Sequence, residues 1–137
     1  MVGSPVRHSM NRNFSLGYRL LEIILGVNFF LHGAVRLLGN YSGFVQSVVK
    51  GFETTLLPAF LVTPFAYLIP LLEVGVGIAL VIHWRPRTTL IACAGLMALL
   101  ISGMCFQQKW DVVGTQMIYA ICLYLLGSEL KLNSDRH

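Results

Sequence analysis

The chain has 137 residues, of which 55% are hydrophobic and only 12% are charged, and its formal net charge is +4. A soluble domain carries about 25% charged residues, whereas the mean hydropathy of this chain is +0.70. The composition therefore excludes an ordinary soluble domain and indicates one small integral membrane domain. The basic residues lie mostly near predicted membrane edges, so we interpret them as topology signals and expect no nucleic-acid partner.

The first predicted span runs from Leu16 to Leu38 and follows a polar N-terminal tail, residues 1–15. It is long enough to cross a bilayer as a helix. At about 100° per residue, Asn28, His32 and Arg36 fall on one face, one turn apart. Because lipid does not tolerate such side chains, this polar face is expected to turn towards the interior of a helix bundle.

An amphipathic segment and a second span follow. Residues 40–43 have the composition of a turn. Residues 44–57 show apolar side chains at helical spacing but are too polar to cross the membrane, which predicts an interfacial helix. A short turn bracketed by Pro58 and Pro64 is predicted to follow it. The second span, Phe65 to Trp84, carries Glu73 near its middle. Burying a carboxylate against lipid costs about 2.5–3.5 kcal/mol on insertion scales, so Glu73 should face the interior. Gly75 and Ala79 predict a close approach to another helix.

The third and fourth spans are predicted at Thr88 to Phe106 and Val112 to Leu126, and the fourth contains Gln116. The predicted fold is an all-α membrane protein, a four-transmembrane-helix bundle with an interfacial amphipathic helix between spans 1 and 2. We divide the chain into a polar N-terminal tail, a transmembrane domain and a polar C-terminal tail, at residues 1–15, 16–127 and 128–137.

The distribution of lysine and arginine predicts the orientation. Five arginines lie in the N-terminal tail, at the start of span one and in the loop between spans two and three, against three basic residues in the other two linkers. Since cytoplasmic segments are enriched in such residues, both termini are expected on the cytoplasmic side.

This orientation brings polar residues from three spans to one depth. At 1.5 Å per residue, His32, Glu73 and Gln116 share a layer roughly 8–12 Å beneath the outer surface, with Arg36 above them. The sequence therefore predicts a polar pocket that opens to the outer face. His32, Arg36, Glu73 and Gln116 are its predicted ligand-binding residues.

Several kinds of chemistry fit such a pocket. A histidine beside a glutamate forms a proton relay or a hydrogen-bonding pair, and a quinone headgroup would need a donor such as His32 or Gln116 and a proton source such as Glu73. The same groups would suit a small polar solute. Alternatively, His32, Glu73 and Arg36 satisfy one another and hold no ligand. A lone histidine predicts no metal site. Without a nucleophile–base pair or a cofactor motif, the sequence does not decide whether the chain is an enzyme.

The chain resembles the DoxX family of small bacterial membrane proteins in three motifs. They are Phe30-Leu31-His32-Gly33 followed by Arg36, the run Glu73-Val74-Gly75-Val76-Gly77 after a proline-containing linker, and the basic turn Arg85-Pro86-Arg87. The resemblance covers most of residues 16–126. It implies a four-helix bundle in the bacterial cytoplasmic membrane, with His32, Arg36 and Glu73 as family positions. Some members of that family resemble subunits of a thiosulfate:quinone oxidoreductase, and others are partners of redox or detoxification systems.

The leading functional prediction is a quinone-interacting or redox-associated membrane subunit with no cofactor of its own and with a quinone as its candidate ligand. One alternative is a non-catalytic scaffold or assembly subunit of a larger membrane complex. Another is a small-solute carrier, although the inner half offers mainly Glu22, which we expect to pair with Arg19 or to join helices. The expected partners are the lipid bilayer and other membrane subunits or a second copy of the chain.

Overall fold

The computed structural model describes residues 15–134, and within them it forms five α-helices. These helices are α1 (Leu16–Leu38), α2 (Tyr41–Gly51), α3 (Ala59–Val81), α4 (Pro86–Phe106) and α5 (Trp110–Ser134). All except α2 are long and apolar enough to cross a membrane. The predicted all-α bundle with a short helix between its first two spans is confirmed, and the protein is an integral membrane protein.

Helices α1 and α2 each begin at a residue whose side chain caps the first turn. Ser15 accepts a hydrogen bond from the backbone nitrogen of Tyr18 at 3.1 Å. Helix α1 therefore begins at Leu16, as predicted. Asn40 accepts one from the backbone nitrogen of Gly43 at 2.8 Å. Such caps satisfy amide groups that have no partner within the first helical turn. The segment predicted as a turn before α2 is therefore its first turn, and α2 ends at Gly51, earlier than predicted.

Two other boundaries differ from the prediction by more than three residues. Helix α3 begins at Ala59 and continues through Pro64, which the sequence analysis had placed in a turn before the span. Proline is tolerated in membrane helices because neighbouring groups can satisfy the backbone. Helix α5 continues beyond Leu126 to Ser134, through most of the segment expected to be a polar tail. The predicted N-terminal tail lies outside the described residues, apart from Ser15.

Helices α1 and α3 form the tightest pair, and glycines permit their close approach. A Cβ atom on Gly77 would overlap the backbone nitrogen of Phe30 and lie 2.7 Å from the carbonyl oxygen of Gly26. A Cβ atom on Gly33 would overlap the carbonyl oxygen of Pro70 in the same way. Nothing lies within 4 Å of the corresponding position on Gly75. The prediction that Gly75 marks the close approach is therefore wrong, because Gly77 has that role.

The two halves of the bundle are packed differently. The apolar core lies in the half formed by the start of α1, the end of α3, the start of α4 and the end of α5, and includes Tyr18, Leu80, Cys93 and Leu126. The other half, which α2 covers, contains a cavity. The amphipathic helix thus marks the end of the molecule where the candidate site lies.

Candidate functional site

A cavity of about 340 Å³ lies between α1, α3, α4 and α5, beneath α2. This volume is within the range of small-molecule sites, about 300–1,000 Å³. All four predicted site residues, His32, Arg36, Glu73 and Gln116, line it. The sequence analysis thus predicted their grouping, whereas their binding of a ligand stays a prediction.

An ion pair between Arg36 and Glu73 forms one wall of the cavity. The Nη1 atom of Arg36, in the last turn of α1, donates to Oε1 of Glu73 at 2.6 Å and to Oε2 at 2.5 Å. Glu73 is only 2% exposed. The guanidinium also lies over the ring of Phe44 on α2, 4.8 Å from its centroid, in a cation–π contact. The wall is therefore close to electrically neutral, because the buried carboxylate has a fixed counter-ion.

His32 lines the cavity as expected, but it is not bonded to Glu73. Its side chain lines the cavity but is exposed, and the carboxylate of Glu73 is bonded to Arg36. The expected pairing of His32 with Glu73 as a proton relay is therefore replaced by an arginine–glutamate pair. Arg36 reaches Glu73 because the contact between α1 and α3 places the last turn of α1 beside the middle of α3.

Gln116, on α5, brings an unsatisfied polar atom to the cavity. Its Oε1 atom is buried and has no hydrogen-bond partner among the described residues. Leaving a buried acceptor unpaired costs about 1–3 kcal/mol, so native proteins rarely do so without a reason. The side chain therefore has the capacity to bond a ligand that enters the cavity.

A second polar contact crosses the cavity wall. Nδ2 of Asn28 on α1 donates to the hydroxyl oxygen of Tyr119 on α5 at 3.3 Å. A phenol that accepts a hydrogen bond can still donate its own hydrogen. Tyr119 was not among the predicted site residues, although it lies three residues after Gln116 and so on the same helical face.

Apart from Thr115, the rest of the cavity wall is apolar and rich in aromatic and methionine side chains. Helix α2 contributes its apolar face, and the other helices complete the wall. The apolar residues of the wall include Phe29, Phe44, Val48, Phe52, Met97, Leu100 and Met104. A neutral polar wall opposite aromatic and thioether surfaces fits a flat, uncharged, amphipathic ligand.

Residues 15–113 match the model of the family described as methylamine utilisation protein MauE. This match covers more than two thirds of the chain. The chain belongs to the MauE family. The expected membership of the DoxX family is therefore wrong. Searches of curated proteins and of solved structures found no match to the chain.

The motifs that suggested the DoxX family have a simpler physical origin. A small membrane bundle needs glycines where helices touch, as at Gly33 and Gly77, and paired charges where ionisable groups are buried, as at Arg36 and Glu73. Both needs are shared by unrelated bundles, so these short motifs do not identify a family. The MauE match includes His32, Arg36 and Glu73 but ends before Gln116 and Tyr119.

A second ionic cluster lies at the opposite end of this MauE-family bundle. Glu22 is fully buried and forms an ion pair with Arg19, as predicted. The Oε2 atom of Glu22 also lies 2.8 Å from Nδ1 of His83. His83 lies in the α3–α4 loop with a left-handed φ of 56°. His83 was not predicted as a partner of Glu22, because loop residues have no periodicity to indicate where they point. This cluster joins α1 to the loop and lies outside the cavity.

Proposed function

We propose that this MauE-family protein is a membrane subunit of an amine-utilisation system that binds a quinone headgroup in the cavity beneath α2. The description of its family, methylamine utilisation protein, supports the first part. The observation that carries the second part is the unpaired buried Oε1 of Gln116 within a neutral, partly aromatic cavity. On the basis of the arginine bias, we also place both termini in the cytoplasm and the cavity near the outer face.

The charge of the cavity argues against a charged ligand. Among the described cavity residues, Glu73 is the only one with a carboxylate, and Arg36 already neutralises it. A methylammonium ion would therefore find no free carboxylate among these residues, and the guanidinium of Arg36 that an anion would meet is already paired. Because a desolvated charge without a partner is unfavourable, the cavity favours a neutral molecule over the amine itself.

The hydrogen-bonding groups suit both redox states of a quinone. The carbonyl oxygens of a quinone accept hydrogen bonds, and the Tyr119 hydroxyl and the Gln116 amide nitrogen can donate them. The hydroxyl groups of a quinol donate, and Oε1 of Gln116 can accept. One amide side chain can thus hold the ring in either state without a change in the charge of the site.

Binding of a tailless quinone to the full chain in lipid nanodiscs tests this proposal. The probe is 2,3-dimethoxy-5,6-dimethyl-1,4-benzoquinone, whose fully substituted ring does not add to cysteine thiols. Equilibrium dialysis against empty nanodiscs of the same lipid separates site binding from partition. We expect saturable binding of one quinone per chain, and Gln116→Leu should weaken it about tenfold because a hydrogen-bonding group is lost.

Gln46→Leu is the matched control, since Gln46 is exposed on α2 and lies outside the cavity wall. It should bind the quinone as the wild type does. Uptake that equals that of empty nanodiscs would overturn the proposal and favour a scaffold subunit, as would equal affinities of wild type and Gln116→Leu.

A further inference from the structure

We infer that a separate apolar groove beside the cavity holds the hydrocarbon tail of the same ligand, so that the ligand is a lipid-borne quinone that enters sideways from the bilayer. This inference rests on the proposed function and adds to it the class of quinone and its route. It is carried by the composition of the groove, by the wall that it shares with the cavity and by its opening towards lipid.

The groove has a volume of about 220 Å³ and lies between α3 and α4, beneath α2 and the linker that follows it. Leu61, Phe65 and Phe106 are among its apolar walls. Among the described residues that line it, Ser102 has the one hydroxyl group, and this hydroxyl already donates to the carbonyl oxygen of Ala98 at 2.8 Å. The groove thus offers a ligand no free hydrogen-bond donor. A polar ligand would lose its hydrogen bonds to water there, whereas a hydrocarbon chain has none to lose.

The groove and the cavity lie side by side. The two share the wall residues Val48, Phe52, Ile69, Leu99 and Gly103. Gly103 leaves room for the ring of Phe52, because a Cβ atom at that position would lie 3.4 Å from Cζ of Phe52. The substituent of a ring bonded to Gln116 would therefore enter the groove at Phe52, whose ring stands between the two spaces and would turn aside to admit it.

The outer side of the groove is open to the membrane. Leu61, Phe65 and Phe106 are each about half exposed, and they lie on helices long enough to span a bilayer. Apolar surface at that position faces lipid tails, not water. A tail in the groove can thus continue into the bilayer, whereas a water-soluble ligand would gain nothing from this opening.

A pair of quinones that differ only in tail length tests the inference. The tailless probe above is compared with decylubiquinone, which has a decyl chain in place of one methyl group on the same ring. After correction for partition into empty nanodiscs, we expect the decyl compound to bind the wild type about tenfold more tightly, through packing contacts in the groove.

Filling the groove should remove this advantage and leave the ring site intact. In Ser102→Trp, we expect the tailless quinone to keep its wild-type affinity. The decyl compound should bind this variant no more tightly than the tailless quinone does. Ile91→Trp, on the lipid-facing side of the same helix, is the matched control and should keep the tenfold advantage. Ser102→Leu provides a smaller obstruction if circular dichroism shows that Ser102→Trp is misfolded.

The outcomes separate the two proposals. If the tailless ring binds but the decyl compound has no advantage, or keeps its advantage in Ser102→Trp, then the tail lies in bulk lipid and this inference is wrong while the proposed function stands. If neither compound binds more than empty nanodiscs do, the proposed function itself fails.

Discussion

Replacing Gly77 with alanine tests whether backbone contact between α1 and α3 holds the bundle together. The new Cβ would meet the Phe30 nitrogen and the Gly26 carbonyl oxygen, and these backbone atoms cannot move aside as a flexible side chain can. The helices would have to separate by about 1 Å to restore ordinary contact. Overpacking costs about 1–3 kcal/mol, and the upper value applies because the obstacles are backbone atoms. Alanine regains about 1 kcal/mol in helix propensity, so the net loss is about 2 kcal/mol, or roughly 30-fold in the unfolding equilibrium.

Reversible unfolding in mixed micelles, with helix content followed by circular dichroism against the mole fraction of denaturing detergent, measures this loss. Gly75→Ala is the matched control on the same helix, because nothing lies within 4 Å of its new Cβ. It should be as stable as the wild type or up to about 1 kcal/mol more stable. Equal stabilities for the two alanine variants would refute the packing of α1 against α3 through Gly77.

Two further predictions concern the ionic clusters. Arg36→Leu and Glu73→Leu should each destabilise the bundle by about 3 kcal/mol, because either change leaves one charge without its partner. The double variant should recover most of that loss, and additive losses in the same unfolding assay would contradict a direct ion pair. His83→Gly should be more stable than His83→Ala by about 1 kcal/mol, since both lose the bond to Glu22 but only alanine keeps a Cβ at a left-handed φ. Equal thermal stabilities would contradict that backbone geometry.

The helices were predictable because their signals are local. The bounds of α1 and the inward position of Glu73 follow from hydropathy, helical period and the unfavourable burial of charge in lipid. The start of α3 was predicted too late, because Pro64 was taken as a boundary although a membrane helix can continue through proline. The start of α2 was also predicted too late, because the Asn40 cap was interpreted as part of a turn.

The family was beyond what short motifs could establish. The residues that suggested DoxX are those that any small bundle needs for close helix contact and for charge pairing, and the match over residues 15–113 corrected that prediction. The polar grouping was predictable because His32, Glu73 and Gln116 lie at similar depths on three spans. This depth follows from counting residues along each helix.

By itself, the sequence determined that the chain is a four-span membrane bundle with polar residues gathered at one level, since composition and periodicity are properties of each helix alone. Only the tertiary structure decided which groups meet: Glu73 with Arg36 and not with His32, and Asn28 with Tyr119. The physical reason is that side-chain pairing depends on the rotation and separation of neighbouring helices. Those are set by contacts such as that of Gly77 with α1, which no single segment encodes.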